Sequence, residues 1–325
     1  MAFVFSTNAQ QSNEQIKKTA LEFSKKNDFQ NALMVLSAGL KNDPSSIILL
    51  KELALTYYLS GSFEEAANVV LPLLQREDAD IQIFQIAGNI FNGLDDLKQA
   101  EKIYKKGLKK FPGSGQLYSE YGQLLWILEK TGDAIKAWEQ GIMMDPSHSG
   151  NYYHAAKFYF AAADKARAIV YGEVFVNVES FSARTEEMKF LLFESYKRIF
   201  NPNDNKVHFI KKATEFENRF LGKIIGYKEE ALKGIGVESL LKMRTEFIND
   251  WFADSENLFP FSLFDRMKYM QENNLFESYN QWLFGEISNA NEYQKWLIDH
   301  ADDMNEFMKF QRNNLFHPIS GQYYF

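Results

Sequence analysis

IQIFQIAGNIFNGLDDLKQAEKIYKKGLKKFPGS, residues 81–114, and GQLYSEYGQLLWILEKTGDAIKAWEQGIMMDPSH, residues 115–148, are one 34-residue pattern written twice. Phe84, Gly88, Phe91, Ala100, Tyr104, Gly107 and Pro112 stand at positions 4, 8, 11, 20, 24, 27 and 32 of the first unit. Tyr118, Gly122, Leu125, Ala134, Trp138, Gly141 and Pro146 stand at the same positions of the second. Seven matches at fixed spacing define an internal repeat, and a period of this length is that of a helix–turn–helix array.

The frame holds when extended in both directions. Position 20 reads Ala32, Ala66, Ala100, Ala134 and Ala168, position 8 reads Ala20, Ala54, Gly88, Gly122 and Ala156, and position 11 reads Phe23, Tyr57, Phe91, Leu125 and Tyr159. Small residues at 8 and 20 let two helices approach closely, and larger apolar residues at 4, 11 and 24 fill the space between hairpins. Pro44, Pro112 and Pro146 close second helices, because proline has no N–H to continue one. The second unit has Asp78 there, and Pro72 late in its second helix predicts a kink or an early stop. In the fifth unit Gly172 replaces a bulky residue and the ladder weakens. The hairpins pair helices near Asn13–Lys26 and Phe29–Leu40, then Ile47–Ser60 and Phe63–Gln75. Later turns fall at Gly93–Asp96 and around Lys130–Asp133, where the displaced Gly132 predicts a different geometry. Asn151–Ala163 and Lys165–Val178 form the fifth pair. No hairpin buries its apolar stripe alone, so stability comes from stacking about three or more.

These residues carry a resemblance to the tetratricopeptide repeat (TPR). The resemblance implies an all-α fold: a right-handed solenoid of five helical hairpins over residues 13–182, whose role is binding. The segment Glu277–Gly285 (ESYNQWLFG) is similar to C-terminal regions of bacterial TPR proteins, a resemblance that carries no activity.

Outside the ladder, residues 1–12 form an arm. Phe3-Val4-Phe5-Ser6-Thr7-Asn8-Ala9-Gln10 reads either as the end of a secretory signal cleaved near Ala9 or as an ordinary N-terminal extension. Its cadence resembles exported proteins of Bacteroidetes-type bacteria. A periplasmic or outer-membrane-associated location follows from the first reading, a cytoplasmic one from the second. Residues 183–200 contain a capping helix, Thr185–Ile199, with Met188, Leu191, Leu192 and Tyr196 on one face. The breaker cluster Asn201–Asn205 opens a helical module over 201–325, with helices expected at Val207–Lys233, Val237–Asp254, Ser262–Asn273, Phe276–Ile287 and Glu292–Arg312, the first weakened by Gly222, Gly226, Gly234 and Gly236 and read as one helix or two shorter ones. From Ala183 onward there are 27 Phe, Tyr and Trp residues against 23 before it, a load that builds a small core without requiring a ligand. The tail Phe316–Phe325, with Pro318 and Gly321, is not helical and is expected to dock, either on its own module or on a partner.

Composition bounds the chemistry. A net charge of −7 argues against nucleic acid, which calls for a basic stripe. No run has the length of a membrane span. Without cysteine there is no disulfide, thiolate site or cysteine nucleophile. His148, His154, His208, His300 and His317 show no metal-ligand spacing, although His148 and His154 flank one helix start. Gly234-Ile235-Gly236 lacks the rest of a phosphate loop, and no serine sits in a nucleophile elbow. Neither an enzyme nor a cofactor is expected. Trp251, Trp282 and Trp296 could form a sugar platform, but helical tryptophans more often belong to a core.

The TPR resemblance implies that first helices line a concave groove through positions 2, 5, 9 and 12. Here these give Lys51 and Tyr58, then Gln82, Gln85, Asn89 and Asn92, then Gln116, Ser119, Gln123 and Trp126, and finally Tyr153, Lys157 and Phe160. Amides can bond a peptide backbone whatever its side chains, and aromatic residues can anchor it; the same aromatics could instead pack on neighbouring helices. The family's carboxylate clamp is not supported, since Leu21 and Leu55 follow Lys17 and Lys51 where Asn is required. The expected function is a non-catalytic scaffold or adaptor for a protein or peptide partner. The alternative is a structural subunit of a bacterial envelope complex that works through the C-terminal module.

Overall fold

The computed structural model describes the backbone of residues 2–201, 212–232 and 234–322, and side chains from Asn13 onward except Leu232. Every element among them is helical. The chain divides into two compact units, Met1–Ala134 and Ile135–Phe325.

The first unit holds α1 (Ala2–Ser24), α2 (Phe29–Asn42), α3 (Ile47–Leu59), α4 (Phe63–Leu73), α5 (Ile81–Gly93), α6 (Leu97–Lys110) and α7 (Gly115–Ile127). Helix α8 (Thr131–Met144) begins at its end and belongs mostly to the second unit, which continues with α9 (Ser149–Ala161), α10 (Lys165–Val178) and α11 (Ala183–Ile199). The first helix starts at Ala2, not near Asn13, since no glycine or proline interrupts the intervening sequence. The Phe3–Ala9 stretch is therefore helical backbone; its side chains lie outside the described residues.

The repeat is written in the backbone as sharply as in the side chains. Asn27, Gly61, Asp95, Glu129 and Ala163, each 34 residues from the next, are the left-handed residues between the two helices of each unit, with φ of 58°, 79°, 58°, 59° and 61°. The fourth turn is thus like the others, contrary to the expectation from Gly132, which lies inside α8 with open space around it. One residue after the turn, Asp28, Asp96 and Asp164 cap the second helices by accepting from the N–H of Asn31, Gln99 and Arg167. At the unit boundary Ser46, Asp80 and Ser114 cap the first helices in the same way. Ser182 holds that boundary position after the fifth unit and opens α11 with a capping box to Thr185, so the capping helix starts where a sixth hairpin would.

Packing follows from the small positions. Ala32, Ala66, Ala100, Ala134 and Ala168 are all 0% exposed. At Gly88 an added Cβ would lie 2.2 Å from Tyr104 Cζ, so glycine is what admits the ring at position 24. Pro72 shortens its helix: α4 has 11 residues where α2 and α6 have 14.

The second unit adds α12 (Glu215–Gly226), α13 (Lys228–Leu232), α14 (Val237–Asp254), α15 (Ser262–Glu272) and α16 (Phe276–Asn280). A π-helical turn, Gln281–Gly285, follows, then α17 (Glu286–Asp299) and α18 (Ala301–Asn313). Two expected helices are divided. Of Val207–Lys233 only the part from Lys212 to Leu232 is described, and it breaks after Gly226, where glycine ends α12. Glu292–Arg312 breaks at His300, whose ψ of 35° ends α17 and whose ring reaches Asp303 at 2.9 Å; no glycine or proline announces it.

In α10 every residue from Lys165 to Asn177 is buried. The charges among them are matched by the C-terminal module. Glu173 meets Arg244 at 2.8 Å and accepts from Tyr279 Oη at 2.7 Å, while Arg167 donates to Glu217 at 2.9 Å and to Asp164 at 2.5 Å. Asn177 Nδ2 donates to Tyr279 Oη at 2.8 Å and Arg266 Nε donates to Asn177 Oδ1 at 3.0 Å. The aromatic load forms the module's core: Trp251 and Phe264 rings lie 4.9 Å apart, and Trp251 and Trp282 are buried. The tail docks on its own module through buried Phe316 and through Gln322 Oε1, which accepts from Ser262 N at 2.7 Å. Tyr323–Phe325 lie outside the described residues.

Ala163 occupies the left-handed turn position without the freedom that Gly61 has. Ala163→Gly is expected to stabilise the protein by about 0.5–1 kcal/mol, relief of backbone strain exceeding the entropy of the more flexible unfolded chain. Reversible urea denaturation checks this, and an unchanged or lower midpoint would contradict the assigned turn.

Candidate functional site

The inward positions of the first helices occur in both units. In the first unit α3, α5 and α7 each expose part of one face, because positions 8 and 11 are turned towards the second helices. On that face the predicted amides are joined to one another. Gln116 Nε2 donates to Gln85 Oε1 at 2.5 Å, and Gln85 Nε2 donates to Glu120 Oε1 at 2.9 Å. Asn89 Oδ1 accepts from Tyr104 Oη at 2.6 Å. Burial pushes the Glu120 carboxyl above its ordinary range, partly offset by hydrogen bonds from Gln85 and Asn89. Glu120 was not among the sequence candidates, since it lies at unit position 6, outside the inward set. Its signal was an acid one turn from Gln116 on a helix otherwise poor in charge.

Lys51 is also engaged, its Nζ 2.6 Å from Asp80, the residue that caps α5. Tyr58 leans against Phe63 with ring centroids 5.8 Å apart, and Ser119 is buried. Asn92 and Gln123 are half-buried, and Gln82 is exposed. Trp126 is 46% exposed beside Ile127 at 51%, an apolar step at the C-terminal end of α7. Of the candidates in this unit, Gln82 and Trp126 present the most surface.

In the second unit the three candidates are all in contact with the capping helix, Tyr153 buried and Lys157 still exposed. The Tyr153 hydroxyl donates to Glu187 of α11, its ring packs 5.2 Å from that of Phe175, and the Arg184 guanidinium lies 5.1 Å over it. Lys157 Nζ reaches Glu187 at 2.6 Å, and the Phe160 ring is overlaid by Arg198 at 3.9 Å. Here the aromatics pack on the chain's own helices. Between them His154 stacks on Trp138 at 5.2 Å, and burial, followed by the charges of Arg184, Lys157 and His148, pushes its pKa down to about 4.

That depression has a defined sign. Between pH ~6.5 and ~4 the unfolded chain binds a proton at His154 that the folded chain does not, so stability is full above this window and lost as pH falls through it. His154→Gln should reduce the drop in melting temperature between pH 7 and 4.5, and an identical drop in both proteins would contradict the buried neutral ring.

Among the described residues no group of three or more His, Cys, Asp or Glu could hold a metal ion, and no helix is long and apolar enough to cross a membrane. No family model matches the sequence, and no curated protein matches it. Solved structures do. PilF of Pseudomonas aeruginosa is 13% identical, over 61% of this chain and 87% of its own, with a TM-score of 0.50. A thermophilic TPR protein of Thermus thermophilus is 14% identical over 56% of this chain and 98% of its own, with a TM-score of 0.47. PilW, described as a type IV pilus biogenesis factor, is 15% identical over 60% and 89%, with a TM-score of 0.48. At these identities the likeness is one of fold. The likeness to PilF, together with the repeat register in sequence and backbone, identifies the array as an all-α, TPR-type helical solenoid.

Proposed function

We propose that the chain is a non-catalytic scaffold that binds an extended segment of a protein partner along the first-helix face of α3, α5 and α7. The observation that carries this is Trp126, a large aromatic left 46% exposed on a face rich in amides. Exposed aromatics flanked by polar groups are the usual anchors of protein binding. The Gln116–Gln85–Glu120 chain gives the face a rigid polar centre, and Gln82 offers an amide that can pair with a peptide backbone. The TPR-type fold supports a protein-binding role in general; the groove and its occupant are this proposal.

A second reading, a structural subunit that contacts its partner through the C-terminal module, is favoured by α17. None of its residues is buried, and Ile298 is 78% exposed. An envelope location belongs to that reading and rests on the Phe3–Ala9 stretch.

Affinity capture with the purified chain separates the two. Combined Trp126→Ala and Gln82→Ala should lower partner recovery at least about tenfold, the loss expected of one anchor, with helical circular dichroism unchanged. Undiminished recovery by that variant, with loss on Ile298→Glu, would overturn the groove in favour of the module.

A further inference from the structure

A cleft of about 450 Å³ opens in the second unit where the π-helical turn Gln281–Gly285 meets α17. π-turns are rare and concentrate at functional sites. This one is followed within one turn by a second irregularity, the non-helical Asn289 (φ −159°, ψ 101°), whose Oδ1 accepts from Glu292 N–H at 3.3 Å and caps the helix that resumes after it. The pair of distortions swings Trp296 to the wall of the cleft and leaves Gln281 lining it.

Three features describe what the cleft would accept. First, Gln281 is only 6% exposed, and its Oε1 has no hydrogen-bond partner among the described residues. An unmet buried acceptor is costly, and a ligand that supplies an N–H relieves that cost. Gly285 makes the arrangement possible: a Cβ there would fall 2.6 Å from this oxygen and 2.4 Å from the Tyr293 ring. Second, the wall is acidic. Lys295, the one cation lining the cleft among the described residues, is held by Glu292 at 2.8 Å, whereas Glu238 and Asp299 have no ion pair among those residues. Third, Trp296 is fixed as a platform. Its indole N–H donates to Glu277 at 3.0 Å, and His300 stacks on one face with centroids 4.7 Å apart.

A neutral sugar would use the tryptophan and leave the unpaired carboxylates without a counter-charge. An ammonium would satisfy the charge but brings a compact head that does not stack. A guanidinium does both: it is planar, stacks on indole, stays charged at all working pH values and carries five N–H donors for carboxylate and amide oxygens. We propose that this cleft receives an arginine side chain of a protein partner, a second contact point separate from the α3–α5–α7 face.

The test is calorimetric titration of the full chain with a blocked Gly-Arg-Gly peptide, with Gly-citrulline-Gly and Gly-Lys-Gly as comparisons. Saturable binding of the arginine peptide is expected, with citrulline at least about tenfold weaker for want of charge and lysine weaker for want of a stacking plane. Trp296→Ala should weaken it by about tenfold or more, as should Asp299→Asn, an exposed site whose replacement leaves the fold intact. Trp126→Ala should leave it unchanged, which separates this cleft from the groove. No saturable heat, equal affinity for citrulline, or full affinity in both cleft variants would overturn the proposal.

Discussion

The second unit depends on one buried charge pair, Glu173 with Arg244. Both side chains are within 2% of full burial, a position that desolvation makes very unfavourable unless every lone pair and N–H is used. Here both groups have further partners: Glu173 also accepts from Tyr279, and Arg244 also donates to Asn280 Oδ1 at 2.9 Å. Such a pair adds little net stability over a well-packed apolar pair, but it tolerates only one docking geometry. It fixes the C-terminal module on α10, and the Asp164–Arg167–Glu217 set fixes it again one helical stretch away.

That attachment answers a problem of repeat arrays. Each hairpin covers its neighbour, so the final one has an uncovered side that must be made polar or hidden. In this chain α11 stands in the place of a sixth first helix, and the module encloses α10 from Lys165 to Asn177. Gly172, which looks like decay of the repeat, is part of the same solution. A Cβ there would lie 2.9 Å from Leu192 Cδ2 and 3.0 Å from Met188 Sδ, so the small residue lets α11 approach closely.

The repeat was legible because its constraints are local and periodic. Five alanines, the caps and the left-handed turn residues all recur at one spacing. Glu129 and Ala163 were not recognisable as turn residues, since neither favours positive φ; only the register places them there. The candidate groove was half legible. Periodicity says which residues share a face, and on it Trp126 is 46% exposed. It does not say that Gln85, Asn89 and Gln116 would bond to each other, to Glu120 or to Tyr104, nor that α11 would cover Tyr153 and Phe160. Those outcomes depend on contacts about 15–35 residues apart in sequence. The module was least legible, because the break at His300 carries no glycine or proline, and Gly285 at the end of the π-turn does not by itself announce one.

The most direct measurement of this account is native-state hydrogen exchange along α10 and α14. If buried ion pairs join the module to the last hairpin, amides of Lys165–Val178 and Val237–Asp254 should open with one common free energy and respond to denaturant with one slope. Exchange of α10 at the rate of the earlier repeats, with α14 opening independently, would contradict it.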